Sequence, residues 1–369
     1  MADPRVTKLA GVLVHYSLRL KAGDFFVISG SDLAAPLITE VYREALKAGA
    51  HPLVVAELPG LQEIFLKHAG EDQLKFISPA QRVVMEQSDA YLTIWGSHNT
   101  KALAGVDAKK MAARSNYTRE LSVAFIRRGA EGKVRWCGTQ FPTHADAQEA
   151  GMSLAEYEDF VFAAGLLDRD DPAAEWRRVS AQQAKAASFL QSRKEFHVVS
   201  RDTDLRLRAD GRRWINCDGK ENFPDGEVFT TPLRDSVEGT IRFSFPGIYY
   251  GKEVEDITLT FEQGKVTRAS AAKGEDLLLA LLDTDEGSRH VGEFAIGTNQ
   301  GIQRFTHNTL FDEKIGGTVH LAVGAALEET GGKNESGIHW DMICDLRDGG
   351  RIYADGELIY QDGRFTREF

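Results

Sequence analysis

The chain is poor in cysteine. Its three cysteines, Cys137, Cys217 and Cys344, stand far apart and in odd number, so neither a disulfide framework nor a CxxC zinc motif can be built from them. Positive charge is also short: 44 Lys and Arg stand against 55 Asp and Glu, a net charge of −11. Nucleic acid and anionic membrane surfaces are therefore not expected partners, because both require a basic field. Long apolar runs are missing as well. The most apolar stretch, residues 160–167, falls far below the roughly 20 residues that cross a bilayer. Residues 9–14 are followed by His15 with no small-residue cleavage site, so no secretory signal is expected and a reduced, cytoplasmic compartment fits. There is no Walker A loop, no GxGxxG, no GxSxG elbow and no HExxH, which leaves the common phosphate, serine-hydrolase and zincin signatures unrepresented.

What is present starts with a βαβ pattern. Residues 24–29 (DFFVIS) predict a buried strand, Leu33, Leu37, Val41, Ala45 and Ala48 recur at helical spacing up to Gly49, and residues 52–56 (PLVVA) predict the next strand. Residues 83–86 and 90–95 add helix and strand. Such alternation predicts a mostly parallel sheet covered by helices. Residues 168–172 (DRDDP) read as a linker, and 173–192 as a long helix bridging two domains. Beyond residue 195 short strands are punctuated by hairpin signals: Asp210-Gly211, Gln263-Gly264, Asp348-Gly349, Asp355-Gly356 and Asp362-Gly363. The expected architecture is an N-terminal α/β domain, residues 1–190, and a C-terminal mixed, largely antiparallel α+β domain, residues 191–369. Trp95, Trp136 and Trp214 are expected in the core or at a domain interface.

The second half carries the candidate chemistry. In NFPDGEVFT (222–230), Pro224 and Gly226 form a turn that delivers Glu227 to a strand start, as a solvated carboxylate or a functional one. In GEFAIG (292–297), Glu293 stands in an apolar run; a buried carboxylate there requires a cation, either Arg289 or Arg304 or a metal. In HWD (339–341), His339 and Asp341 share one face of a strand, as a hydrogen-bonded pair or as ligands of one divalent ion. His320, among apolar residues in TVHLAV (318–323), is a core histidine or a further ligand. Together, three carboxylates and two imidazoles suit two divalent cations sharing a bridging carboxylate, with one hydroxide closing the charge at zero.

These segments, with NTLFDEKIGGTVHLAV (308–323) and GGKNESGIHWDMICDLR (331–347), resemble the aminopeptidase T family of thermophilic metallo-aminopeptidases. Weaker similarity extends over the N-terminal half. The resemblance implies a cytoplasmic, homodimeric exopeptidase with two divalent ions per chain, zinc or cobalt, that removes N-terminal residues from peptides with a free N-terminus. It places the metal ligands on Glu227, Glu293, His320, His339 and Asp341, and Glu313 of the FDE segment also near the metals. Glu293 and Glu313 become the candidates for proton transfer. It further implies an N-terminal domain able to close over the metal domain. One position departs: where the family has a Tyr seven residues after the HLA histidine, this chain has Leu327. A missing phenolic donor costs roughly 10²–10³ in rate unless Tyr249, Tyr250 or another donor substitutes. Two other readings stand beside this one. A mononuclear iron ring-cleaving dioxygenase on a related scaffold would use His320, His339 and Asp341. A catalytically impaired metal-binding homologue would follow from Leu327. The presence of both Glu227 and Glu293 favours two metals and hydrolysis.

Overall fold

The computed structural model describes residues 3–249 and 251–369. Two compact units divide the chain. The first runs to Glu175 and takes back Gly219–Pro224; the second comprises Trp176–Asp218 and Asp225–Phe369. The division thus falls early in the helix Pro172–Gln191, against an expected boundary near residue 190. The later turns of that helix belong with the second unit because Ala187 and Leu190 are buried in its core.

In the first unit, strands β1 (Phe25–Ser31), β2 (His51–Glu57), β3 (Ala90–Trp95) and β4 (Arg135–Gln140) form a parallel sheet in the order β2-β1-β3-β4. The short strand Asn222–Phe223 adds beside β4, also parallel. The helix Ala35–Lys47 buries Leu37, Val41 and Ala45 of the stripe read from the sequence and Ile38 beside them, while Leu33 and Ala48 fall outside it and are half-buried; a proline stands in its first turn. Trp95 and Trp136 are not core residues: they are 43% and 39% exposed. The Trp95 ring lies against Gly138, where a Cβ would stand 2.2 Å from its Cη2.

The second unit stacks two antiparallel sheets. One has eight strands, built from Glu195–Ser200, Thr203–Arg208, Glu238–Arg242 and Thr258–Glu262 with Lys265–Ser270 and the C-terminal hairpins. Its two-residue loops Gln263-Gly264, Asp355-Gly356 and Asp362-Gly363 take positive φ at both residues, as their hairpin signals required; Asp210-Gly211 and Asp348-Gly349 are not hairpins, since each has positive φ only at the glycine and joins strands of different sheets. The other sheet is a five-stranded meander of β5 (Ile215–Cys217), β6 (Glu227–Thr230), β7 (Val291–Gly297), β8 (Thr318–Gly324) and β9 (His339–Asp345), in the order β9-β8-β7-β6-β5. The core lies between the sheets. It takes Phe196, Leu205 and Ile241 from one and Phe294, Val319, Leu321, Trp340 and Met342 from the other. Trp214 packs there against Phe196 and Phe294, with ring centroids 5.3 and 6.1 Å away. Among the described residues no helix is long and apolar enough to cross a membrane.

Candidate metal centre

Strand alternation selects the residues of the site. Once Phe294, Ile296, Val319, Leu321, Trp340 and Met342 are committed to the core, their odd-offset neighbours Glu293, His320, His339 and Asp341 must project from the opposite face of the meander. Glu227 joins them, since Val228 beside it is a core residue. Register then sets the spacing. Glu293 of β7 pairs with Ala322 of β8, which pairs in turn with Asp341 of β9. His320 pairs with Ala295 on its other side. The acids and imidazoles therefore alternate with alanines across the sheet, and the short methyl groups leave room above them.

Two glycines bracket Glu293 for a steric reason. A Cβ at Gly292 would stand 2.1 Å from the Ala325 carbonyl oxygen, and one at Gly297 would stand 2.2 Å from that of Ile315. The first marks the bulge that shifts register next to Glu293. The second lets residues 313–316 cross against β7, which brings Glu313 to the site.

The five principal candidates converge. Glu227, Glu293 and His320 offer ligand atoms within 4.8 Å of one another, and so do Glu293, His339 and Asp341. Glu293 is common to both trios: its Oε1 lies 3.3 Å from His320 Nε2 and its Oε2 lies 3.3 Å from His339 Nε2. His339 Nε2 is also 3.4 Å from Asp341 Oδ2, and His320 Nε2 is 3.2 Å from Glu227 Oε2. The cation suggested for Glu293 is not Arg289, which donates to Asp283 instead. His339 Nδ1 donates to the Ala325 carbonyl at 2.8 Å, which fixes the ring so that Nε2 faces the carboxylates. Glu227 is set from behind: Gln183 Nε2 donates to the backbone carbonyls of Glu227 and Cys217, at 2.8 and 3.0 Å.

Burial and charge work against each other here. Burial would lift the Glu293 carboxyl, but hydrogen bonds from His320 and His339 hold it below its usual value. Burial opposes the charged form of His320, yet the charge of Glu227 and the hydrogen bond to Glu293 push it up to about 9. His339 is pushed up to about 12, the charge of Asp341 overcoming burial. Asp341 is held far down by His339 despite its burial. Glu313 goes the other way: burial raises it to about 8, only partly offset by Lys314.

The donor set fits divalent ions. Two imidazoles and several carboxylates form the borderline N/O set that zinc or cobalt takes. Asp341 Oδ1 is buried with no hydrogen-bond partner, and the buried Glu227 Oε2 makes no hydrogen bond although it faces the His320 ring at 3.2 Å. Such atoms are costly to bury unless a cation engages them.

Three participants escaped sequence reasoning. Lys314, 2% exposed, sits 3.0 Å from Glu227 Oε1 and 2.7 Å from Glu313 Oε2. Cys217 is directly opposite Glu227 in register, and with Asp225 and Glu227 it forms a third group of potential ligands. Its thiol is pushed well up by burial and by the charges of Asp225 and Glu227. Glu329, two residues past Leu327, is raised by burial and by the charge of Glu293. The EK pair at 313–314 was the one available signal, since it sets a lysine directly after two acids, Asp312 and Glu313, and ahead of a glycine pair. Tyr249 does not supply the missing phenol from the site face: it packs edge-on against Trp340, 5.9 Å between centroids, on the core side of β9. Tyr250 lies outside the described residues. Cys344 is a core thiol, raised by burial to about 11.

Comparisons with known proteins identify the family. A family model described as thermophilic metalloprotease (M29) matches residues 2–365. Aminopeptidase T of Thermus aquaticus is 34% identical over 405 residues, covering 97% of this chain and 95% of that protein. Aminopeptidase 2 of Geobacillus stearothermophilus is 29% identical over 412 residues, covering 99% and 98%. The solved structure of wild-type AmpT from Thermus thermophilus superposes with a TM-score of 0.87 at 26% identity, covering 98% of this chain and 99% of that one. These relatives are peptidases and lend no support to the ring-cleaving dioxygenase reading. The chain belongs to the thermophilic metalloprotease (M29) family.

Proposed function

We propose that the protein is a two-metal aminopeptidase that removes N-terminal residues from peptides. The observation that carries this reading is the position of Glu293, whose two oxygens face two different imidazoles and which belongs to both ligand trios. Glu227 and His320 would hold one zinc or cobalt ion, His339 and Asp341 the other, and Glu293 would bridge them. Bound there, the pair of ions supplies Lewis acidity toward the scissile carbonyl and lowers the pKa of water toward neutrality.

The chain's own residues account for the remaining steps. The Ala325 carbonyl holds the His339 ring in its ligating orientation. Glu313 is a largely buried carboxyl that contacts Lys314 at 2.7 Å and stands outside the ligand trios. It is therefore suited to take a proton from the attacking water and return it to the leaving amine. Leu327 supplies no phenolic donor, so the rate is expected to be below that of an enzyme with a Tyr there. The reading includes a cytoplasmic homodimer, on the strength of the resemblance. Metal quantification on purified protein, followed by assay of an aminoacyl p-nitroanilide panel after zinc or cobalt reloading, tests it. Two ions per chain and metal-dependent release support it. Full activity in Glu293→Gln or His339→Ala removes the assignment.

A further inference from the structure

The Lys314 ammonium is 3% exposed on its side chain and bridges two carboxylates, Glu227 at 3.0 Å and Glu313 at 2.7 Å. Its position coincides with an oddity. Cys217, Asp225 and Glu227 present a sulfur and two carboxylate oxygens within 4.8 Å of one another, a set that would suit a thiophilic dication. The set is preformed by the fold. Cys217 and Glu227 face each other across β5 and β6, and Gln183 pins the backbone carbonyls of both. Asn299 Nδ2 donates to the Asp225 carbonyl at 2.7 Å. Yet Glu227 can serve such an ion only by giving up an oxygen, and its Oε1 already accepts from Lys314. A zinc-like ion bonds a carboxylate oxygen at about 2.0–2.2 Å, so on that oxygen it would stand within about 5 Å of the Lys314 ammonium, and two positive charges that close in a buried site repel each other.

We infer that Lys314 is a resident cation: by bridging Glu227 and Glu313 it closes the Cys217–Asp225–Glu227 group to a further ion and leaves only Glu227 Oε2 for the metal centre. Lys314 is therefore a positioning residue that sets how many ions the centre takes. The two-ion reading enters only as the count in the unmodified protein, because the inference concerns one equivalent gained or not gained.

Cadmium titration decides it, with bound ions counted after desalting and thiolate-to-cadmium ultraviolet absorption read in parallel. The unmodified protein should saturate without a band assignable to Cys217, so Cys217→Ser should change neither count nor spectrum. Lys314→Ala and the bulkier Lys314→Met should each bind one further ion and show the band, which a second Cys217→Ser change removes. A Cys217-dependent band in the unmodified protein overturns the inference. So does a folded Lys314→Ala or Lys314→Met protein with an unchanged ion count. Loss of a buried ammonium leaves two carboxylates uncompensated, so either variant can be unfolded without metal. Refolding with cadmium, with the band present, then supports the inference, and failure of cadmium to restore the fold overturns it. Fewer than two ions in the unmodified protein would refute the two-ion reading without touching the comparison between variants.

Discussion

Glu293→Gln is the sharpest perturbation of the proposed centre, because the geometry assigns it a different outcome from every other ligand substitution. Each Glu293 oxygen lies 3.3 Å from a different imidazole nitrogen. The amide keeps the shape of the side chain but has only one acceptor oxygen, and its NH₂ group presents protons toward the other ion position. Loss of a partner that merely supports a ligand already costs roughly 10–100-fold in metal affinity. Loss of a ligand shared by two positions should therefore weaken both by at least about 10²-fold on the same scale. Of the two trios that share Glu293, Glu227 belongs only to one and Asp341 only to the other, so Glu227→Gln and Asp341→Asn should each lose one ion and keep the other. Equilibrium dialysis against a series of buffered free zinc concentrations, followed by elemental analysis, gives the count directly. There should be a window in which Glu293→Gln holds no ion while both other variants hold one. If Glu293→Gln retains two ions, or if Glu227→Gln strips both ions as readily as Glu293→Gln does, the shared-ligand argument is wrong.

Further outcomes follow from the same geometry. His320 is raised in the fold to about 9, above its unfolded value of roughly 6.5. In chelator-treated protein it should add stability that is complete below about pH 6.5 and lost as pH climbs through about 9. A thermal midpoint that is flat across that window in metal-stripped protein would contradict the cause given for the shift. Because both imidazoles are held protonated at neutral pH, metal loading should expel roughly two protons from them, read by calorimetry in buffers of different ionisation enthalpy. Gly297→Ala must displace the backbone at Ile315; we expect a loss of about 1–3 kcal/mol in urea unfolding together with weaker metal uptake. Leu327→Tyr should raise kcat on aminoacyl substrates, by up to roughly 10²-fold if the hydroxyl reaches the developing oxyanion. A variant that folds and binds metal with unchanged kcat would show that the position is not catalytic.

The fold was legible where a periodic signal existed. The βαβ start, the strand at 90–95 and the hairpin dipeptides at 263–264, 355–356 and 362–363 each carry their geometry locally, and β3 and the positive-φ loops agree with the reading. Tryptophan placement was not legible, since Trp95 lies against a glycine on a partly open face, and nothing in the strand pattern reports which face a helix will cover. The site divided in the same way. Period-two alternation fixes that His339 and Asp341 share a face, but it cannot bring Glu227 and Glu293 to them. That depends on the order of five strands and on a bulge at Gly292. Cys217 is invisible for the same reason: only register places it opposite Glu227.

Lys314 shows why the missing part matters to the chemistry. Read from the sequence, three carboxylates, two dications and one hydroxide balance, and a fourth buried carboxylate would spoil that balance. The fold does bring a fourth, Glu313, into contact with the group, but it brings Lys314 with it, one residue on in the chain and 2.7 Å away. The added negative charge is matched by an added positive one, so the net charge that two dications must neutralise is unchanged. An ammonium is suited to this role because it neutralises the charge without binding at ligand distances, and so leaves the coordination positions to Glu227 Oε2, Glu293, His320, His339 and Asp341.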